Sequence, residues 1–209
     1  MVSLILTCWK RFENFEQIIK AWQKEKEIDE IIVWDNSGNF KTDLPITVIN
    51  SNHNFGSSAR YALGALVKNE AVMFGDDDVM PQRGIIADLL PHFKINRLLG
   101  VTGRVFRTCY ADHLFVDSKR INAVNKVDFL VGYLMMMHRD NLLGINYRNA
   151  PWYCCELDLE GQLKDTADFY VVPTMKWEML DEGSDKNALY LHPDAIAEKE
   201  KIWEKYFKK

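Results

Sequence analysis

Residues 2–7, VSLILT, form an almost unbroken apolar run, the pattern of a strand covered on both faces. Directly after it the period changes. In RFENFEQIIKAWQKEKE (11–27), Phe12, Phe15, Ile18, Ile19 and Trp22 recur at helical spacing with charges between them. EIIVWDNSG (30–38) reads as a second buried strand running into turn chemistry, and ITVIN (46–50) as a third that closes on SNHNFGSS. SARYALGALVK (58–68) predicts a helix, and EAVMFGDDD a fourth strand. Strands alternating with helices over 1–80 imply β-α-β units and an α/β fold, a mostly parallel central sheet flanked by helices.

Beyond Pro81 the alternation loosens. RGIIADLLPHF predicts a helix ended or interrupted at Pro91. GVTGRVF and KVDFLVGYLMMMHR predict strands, the second interrupted at Gly132, and FYVVP (169–173) another short strand. HPDAIAEKEKIWEKYF closes as an amphipathic helix, with Pro193 in its first turn and Ile196, Ile202, Trp203, Tyr206 and Phe207 facing inward. Without repeats, low-complexity tracts or linkers, 1–209 is expected to be a single domain. Residues 1–80 would be its nucleotide-binding half and 81–209 a less regular acceptor and catalytic half.

Composition narrows the partners. The net charge of −4 and pI near 5.8 argue against nucleic acid, which selects a basic footprint. No apolar run is long enough to span a bilayer and no targeting segment opens the chain, so a cytoplasmic protein is expected. Cysteines 8, 109, 154 and 155 show no C-x-x-C spacing, and the adjacent pair is poorly placed to bond to itself; free thiols of a reducing compartment are expected.

The chemistry concentrates in VMFGDDDVMP (72–81). Three neighbouring carboxylates repel one another, and they fall where the fourth buried strand runs out. Ligands of open α/β sheets bind in the crevice beyond the carboxyl ends of strands. Carboxylates there suit Mg²⁺ or Mn²⁺, which takes one or two of them and fills its shell with phosphate oxygens and water. The plain alternative is an acidic turn with Asp capping the next helix. A calcium loop would need the frame D-x-[DN]-x-[DN]-G, which is absent.

The other strand ends carry polar residues too: LTCWKR after the first, WDNSG after the second, NHNFGSSAR after the third. Together they resemble glycosyltransferases of the GT-A fold, family-2-like and exostosin-like. There an opening strand ends in Thr with a nearby Arg, a second in Asp, an Asn-x-Gly-x-x-x-Arg segment follows, and then Asp-x-Asp. The matching residues are Thr7 and Arg11, Asp35, Asn54 through Arg60, and Asp76-Asp77-Asp78. More loosely, DFLVGYLMMMHRD (128–140) resembles the acceptor-side strand and CCELDLEGQL (154–163) the acidic motif before a helix. The resemblance implies Mn²⁺ or Mg²⁺ as cofactor, a UDP-sugar such as UDP-glucose or a UDP-deoxyhexose as donor, and a glycan or glycoconjugate acceptor. Similarity to a multidomain viral member of the group implies further domains after residue 209 and a host cytoplasm.

By that resemblance Asp35 accepts from the uracil imide, Thr7 and Arg11 line the base and ribose pocket, Asn54 belongs to the same segment, and Arg60 faces the diphosphate. Asp76 or Asp77 holds the ribose hydroxyls. Alternation along an extended segment would put Asp76 and Asp78 on one side, making Asp78 the first metal ligand and Asp76 the second; His192 is a further candidate. Asp158 or Glu156 would be the base that deprotonates the acceptor in an inverting enzyme, or would only orient the acceptor or shield the oxocarbenium ion in a retaining one. Each has a plainer reading: a turn for Asp35, a surface helix arginine for Arg60, an acidic helix start for 156–160, a helix-start residue for His192. Gly132 and Tyr133 would wall the sugar if not simply core, and Trp152 and Tyr153 would stack on it. A sugar nucleotidyltransferase normally opens with a Gly-rich loop, which LTCWKRFENF lacks, and a dehydrogenase would need G-x-G-x-x-G. A domain that binds nucleotide or glycan without turnover is the remaining alternative.

Overall fold

The computed structural model describes residues 1–64, 66–147, 153–180 and 192–208. Its centre is an eight-stranded sheet. In chain order the strands are β1 (Val2–Cys8), β2 (Ile28–Asp35), β3 (Thr47–Asn50), β4 (Ala71–Gly75), β5 (Val79–Pro81), β6 (Arg97–Gly100), β7 (Thr102–Phe106), β8 (His113–Asp117), β9 (Asn125–Val127), β10 (Phe129–Leu130), β11 (Leu134–His138), β12 (Asp168–Val171) and β13 (Trp177–Met179). The helices are α1 (Phe12–Trp22), α2 (Ser58–Leu63), α3 (Ile85–Leu89), α4 (Cys155–Leu163) and α5 (Ala195–Tyr206). The large sheet runs β3-β2-β1-β4-β11-β6-β12-β9, with β10-β7-β8 as a small second sheet and β13-β5 as a ribbon.

Burial on both faces explains the apolar first strand. Val2, Leu4 and Leu6 pack with Phe15, Ile18, Ile19 and Trp22 of α1 on one side; Ile5 packs with Tyr61, Phe74 and Leu159 on the other. The four α1 residues are fully buried, each stabilising by about 1.5–3 kcal/mol. Strands β3, β2, β1 and β4 are mutually parallel. From β1 the chain builds outward to β2 and β3, then crosses back to place β4 on β1's other side. Such a reversal opens a crevice beyond the ends of the two central strands, here between Cys8 and Gly75.

The next neighbour, β11, is antiparallel to β4 with Leu134 opposite Gly75. That register brings Gly132 and Tyr133, which precede β11, to the acidic triplet: Asp76 N–H donates to the Tyr133 carbonyl at 3.2 Å.

Several expectations change. The helix expected over 58–68 is assigned only to Leu63; a Cβ on Gly64 would meet Leu142 Cδ1 at 1.9 Å, so this turn is held by a close approach rather than by helix propensity. GVTGRVF divides between β6 and β7, and KVDFLVGYLMMMHR among β9, β10 and β11, because the chain leaves one sheet for the other at Val101 and around Asp128. Ile196, expected inward, is 55% exposed, while Ala195, Ile202 and Trp203 carry the packing of α5. All four cysteines are free thiols; Cys8, Cys154 and Cys155 are buried. Among the described residues no helix is long and apolar enough to cross a membrane.

Candidate active site

The crevice is a cavity of about 440 Å³. It takes Thr7, Arg11, Asn54, Asp76, Asp77, Asp78 and Glu156 into its wall, with Gly132, Tyr133 and Tyr153. Residues from opposite ends of the chain meet there because β1, β4 and the approach to β11 end at one rim and α4 begins beside it.

Three carboxylates can coexist because two arginines answer them. Arg11 Nη1 pairs with Asp77 Oδ1 at 2.6 Å and Asp78 Oδ2 at 2.8 Å. Asp77 Oδ2 also accepts from the Trp9 backbone N–H at 3.1 Å, pinning the exit of β1 to the exit of β4. Arg60, fully buried, pairs with Asp76 and reaches Glu156 Oε1 at 3.4 Å. The same guanidinium donates to the Gly132 carbonyl at 2.7 Å and the Gly75 carbonyl at 3.3 Å. Asp77 and Asp78 form a turn rather than an extended segment, so the expected alternation fails: Asp77 and Asp78 share Arg11, and Asp76 turns to Arg60.

Glycine at 132 lets these groups approach. A Cβ there would meet Glu156 Cγ at 2.4 Å and Arg60 Nη2 at 3.2 Å. Glu156 stands in the first turn of α4, where a carboxylate also meets the positive end of the helix dipole.

The carboxyls stay under strain. Burial raises all three, with Arg60 the main opposing influence on Asp76 and Arg11 on Asp77. Asp78 rises to about 7, through burial first and repulsion from Asp76 and Asp77 after it, against the pull of Arg11. Its Oδ1 is shielded from solvent and has no hydrogen-bond partner among the described residues. With all four carboxylates ionised, the two neighbouring sets, Arg11 with Asp77 and Asp78 and Arg60 with Asp76 and Glu156, leave two negative charges, so a divalent cation fits the charge balance and Asp78 Oδ1 fits as its carboxylate oxygen. The hydroxyl of Thr7 is likewise buried and unpartnered among the described residues.

Other expected residues are engaged elsewhere. Asp35 is fully buried and does not line the cavity: its Oδ1 accepts from Ser37 N–H and Oγ at 2.8 and 2.6 Å, and Oδ2 from Phe40 N–H at 2.7 Å. Asn36, beside it, does line the cavity. Arg60 lies wholly under the triplet and is no surface helix residue. Asp158 lines no part of this cavity; it accepts from Gln162 Nε2 at 2.7 Å and lies 3.7 Å from Lys205 Nζ. The His192 ring stacks on Tyr153 at 3.9 Å and is not in the wall. Among the described residues no three His, Cys, Asp or Glu side chains converge as an ion-holding group, so Asp78, Asp76 and His192 are not assembled as one set. Trp152 falls outside the described residues.

Sequence reasoning missed the far wall: Arg104, Tyr110, Phe115, Phe129 and Lys199. A charged residue in the middle of the apolar strand GVTGRVF was the available signal for the first.

No protein-family model matches the chain, and no curated protein sequence matches it. Solved structures do share its fold. TarS (residues 1–349) of S. aureus aligns with a TM-score of 0.60 and 14% identity over 84% of this chain and 59% of that one. The mannosyltransferase PcManGT of Pyrobaculum calidifontis, in complex with GDP-Man and Mn²⁺, gives a TM-score of 0.60 and 14% identity over 87% and 57%. HddC of Yersinia pseudotuberculosis gives 0.59 at 7% identity over 90% and 98%. The fold is therefore GT-A, as expected from the motifs. The chain spans somewhat over half the length of the first two of these proteins.

Proposed function

We propose that this chain is a metal-dependent glycosyltransferase that moves a hexose or deoxyhexose from a UDP-sugar to a glycan or glycoconjugate acceptor, within one domain spanning 1–209. The observation that carries the proposal is the unpartnered Asp78 Oδ1 in a cavity wall shared with Glu156. A neighbour with this fold holds GDP-Man and Mn²⁺, which supports a nucleotide-sugar donor with a metal.

In this reading Thr7 and Asn54 present their polar groups to the base and ribose; Asn36, whose amide donates to the Gly56 carbonyl and accepts from Trp34 Nε1 and Phe55 N–H, holds that segment in the wall, and Asp35 acts indirectly by fixing the loop that carries Asn36. Asp78 holds Mn²⁺ or Mg²⁺, with Asp76 beside it. When bound, such an ion neutralises the charge that grows on a departing diphosphate. Asp77 and Arg11 hold the two strand ends in register, and Arg60 orients Asp76 and Glu156 rather than touching the diphosphate. The acceptor hydroxyl gives its proton to Glu156, the acidic residue of α4 that faces the cavity, and not to Asp158. A base on the face opposite the leaving group would invert configuration.

Calorimetric titration with UDP, GDP and their hexose conjugates, with and without Mn²⁺, tests the donor half. UDP binding that requires Mn²⁺ and disappears in Asp78→Asn is expected; tighter binding of GDP would reassign the base. Donor hydrolysis without acceptor, abolished in Glu156→Gln while UDP still binds, separates an enzyme from a binding domain.

A further inference from the structure

The cavity has a second charged end. In the small sheet, Arg104 lies opposite Phe129 on one side and Phe115 on the other. Residues in register across strands share a face, and all three line the cavity. The Arg104 guanidinium lies over the ring of Tyr110 at 4.9 Å, and Lys199 Nζ approaches that ring at 5.8 Å. Both cations are half-buried. Unlike Arg11 and Arg60, neither forms an ion pair among the described residues; Arg104 Nε, like that of Arg60, is shielded from solvent with no hydrogen-bond partner among them.

The arrangement is built rather than incidental. Glu198 and Glu200 flank Lys199 on α5, but Glu198 pairs with Lys201 at 2.5 Å and Glu200 takes backbone donors: Tyr110 N–H at 3.0 Å and Ala111 N–H at 3.1 Å. That clamp fastens the β7–β8 turn to α5 and fixes Tyr110 between the two cations. Two partly desolvated positive groups around one ring, with no ion pair to either among the described residues, are costly unless a ligand supplies the counter-charge. Around them stand Phe115, half-exposed, with Phe129 and Tyr153, apolar faces of the kind that cover a sugar ring.

We propose that this end of the cavity is an anion subsite for the acceptor: the acceptor sugar carries a carboxylate or phosphate group received by Arg104 and Lys199, with the aromatic row against its ring. The proposal rests on the glycosyl-transfer reading, and its test does not depend on turnover. The intact chain is titrated by NMR with methyl β-D-glucuronide, glucose 6-phosphate and the neutral methyl β-D-glucoside, at low and moderate salt, and separately with UDP and Mn²⁺. Wild type should bind at least one charged probe about tenfold more tightly than the neutral one, as charge-assisted hydrogen bonds would give. The stronger of the two charged probes identifies the group. Arg104→Gln and Lys199→Gln should each remove most of that preference and change UDP affinity by less than about twofold. Equal binding of charged and neutral probes, or no measurable binding of either charged probe, overturns the proposal. So does a loss of UDP affinity in the variants as large as their loss of the charged probes, because the cations would then serve the donor. Failure of UDP to bind while the preference for charged probes persists refutes the donor reading and upholds the subsite.

Discussion

Arg60→Lys probes the proposition that a buried guanidinium holds the wall of the cavity together. The side chain is fully buried and serves five acceptors: the Gly75 and Gly132 carbonyls, Asp76, Glu156 and the Tyr61 hydroxyl at 3.1 Å. Lysine keeps the charge but offers three donors from a single point, without the planar fork. At least two acceptors lose their donor. A buried polar group left unpaired costs roughly 1–3 kcal/mol, so Arg60→Lys should lower stability by about 2–5 kcal/mol. Arg60→Met also strands two carboxylates, a change that costs about 3–5 kcal/mol in comparable buried pairs. The midpoint of thermal unfolding should fall by on the order of 4–20 °C for a chain of this size.

Urea unfolding of the wild type, Arg60→Met, Asp76→Asn and the double variant supplies the decisive number. If the pair is coupled as its geometry implies, Asp76→Asn should recover at least about 1 kcal/mol in the Arg60→Met background relative to its effect alone. A coupling near zero, or an Arg60→Lys variant within about 0.5 kcal/mol of wild type, would mean the arginine is no keystone and behaves like a surface side chain.

Three other outcomes follow from the same geometry. Because the Asp78 carboxyl is raised to about 7, protons compete with the cation below that value: Mn²⁺-dependent UDP affinity measured by calorimetry should climb from about pH 6 to pH 8 and then level, and pH-independent affinity would contradict the role of Asp78. Gly132→Ala places a methyl 2.4 Å from Glu156 Cγ, so donor hydrolysis should drop at least about tenfold with UDP binding largely kept; unchanged hydrolysis would show that Glu156 has room to move. Glu160 is fully buried, accepts from Leu130 N–H at 2.7 Å, and burial raises its carboxyl well above the ordinary range. Its folded form holds the proton longer than the unfolded chain does, so stability should decline as pH rises from the ordinary carboxylate range toward the raised value. Glu160→Gln keeps the acceptor and cannot ionise, so its advantage over wild type in urea midpoint should widen between pH 5 and pH 8; parallel profiles would exclude this account.

The first 80 residues were legible because burial on both faces leaves a signal that needs no partner: an apolar run reads as a strand whichever neighbours cover it, and β1 and β4 were placed from such runs. In the second half the same signal misleads. KVDFLVGYLMMMHR reads as a strand with one break, at Gly132, yet it supplies three strands to two sheets; the other break falls at Asp128, a single polar residue that an exposed strand position explains equally well. The site divides in the same way. Thr7, Asn54, Asp78 and Glu156 were reachable from strand ends and local motifs, whereas the far wall depends on β7, β8 and α5 being folded against one another.

The acidic triplet shows where local reading stops short. Adjacent aspartates pose an electrostatic problem, and a motif suggests one external cation as the solution. Most of the solution is internal: Asp77 and one oxygen of Asp78 are met by Arg11, 66 residues before Asp77, and Asp76 by Arg60 from α2. What is left over is one oxygen of Asp78, buried, unpartnered and attached to a carboxyl reluctant to ionise. A site prepared this way should bind an ion strongly only when a nucleotide diphosphate completes the coordination, since a single free carboxylate oxygen is a weak ligand for a hard cation by itself. Mn²⁺ without UDP should therefore produce little heat on titration, and the two together much more.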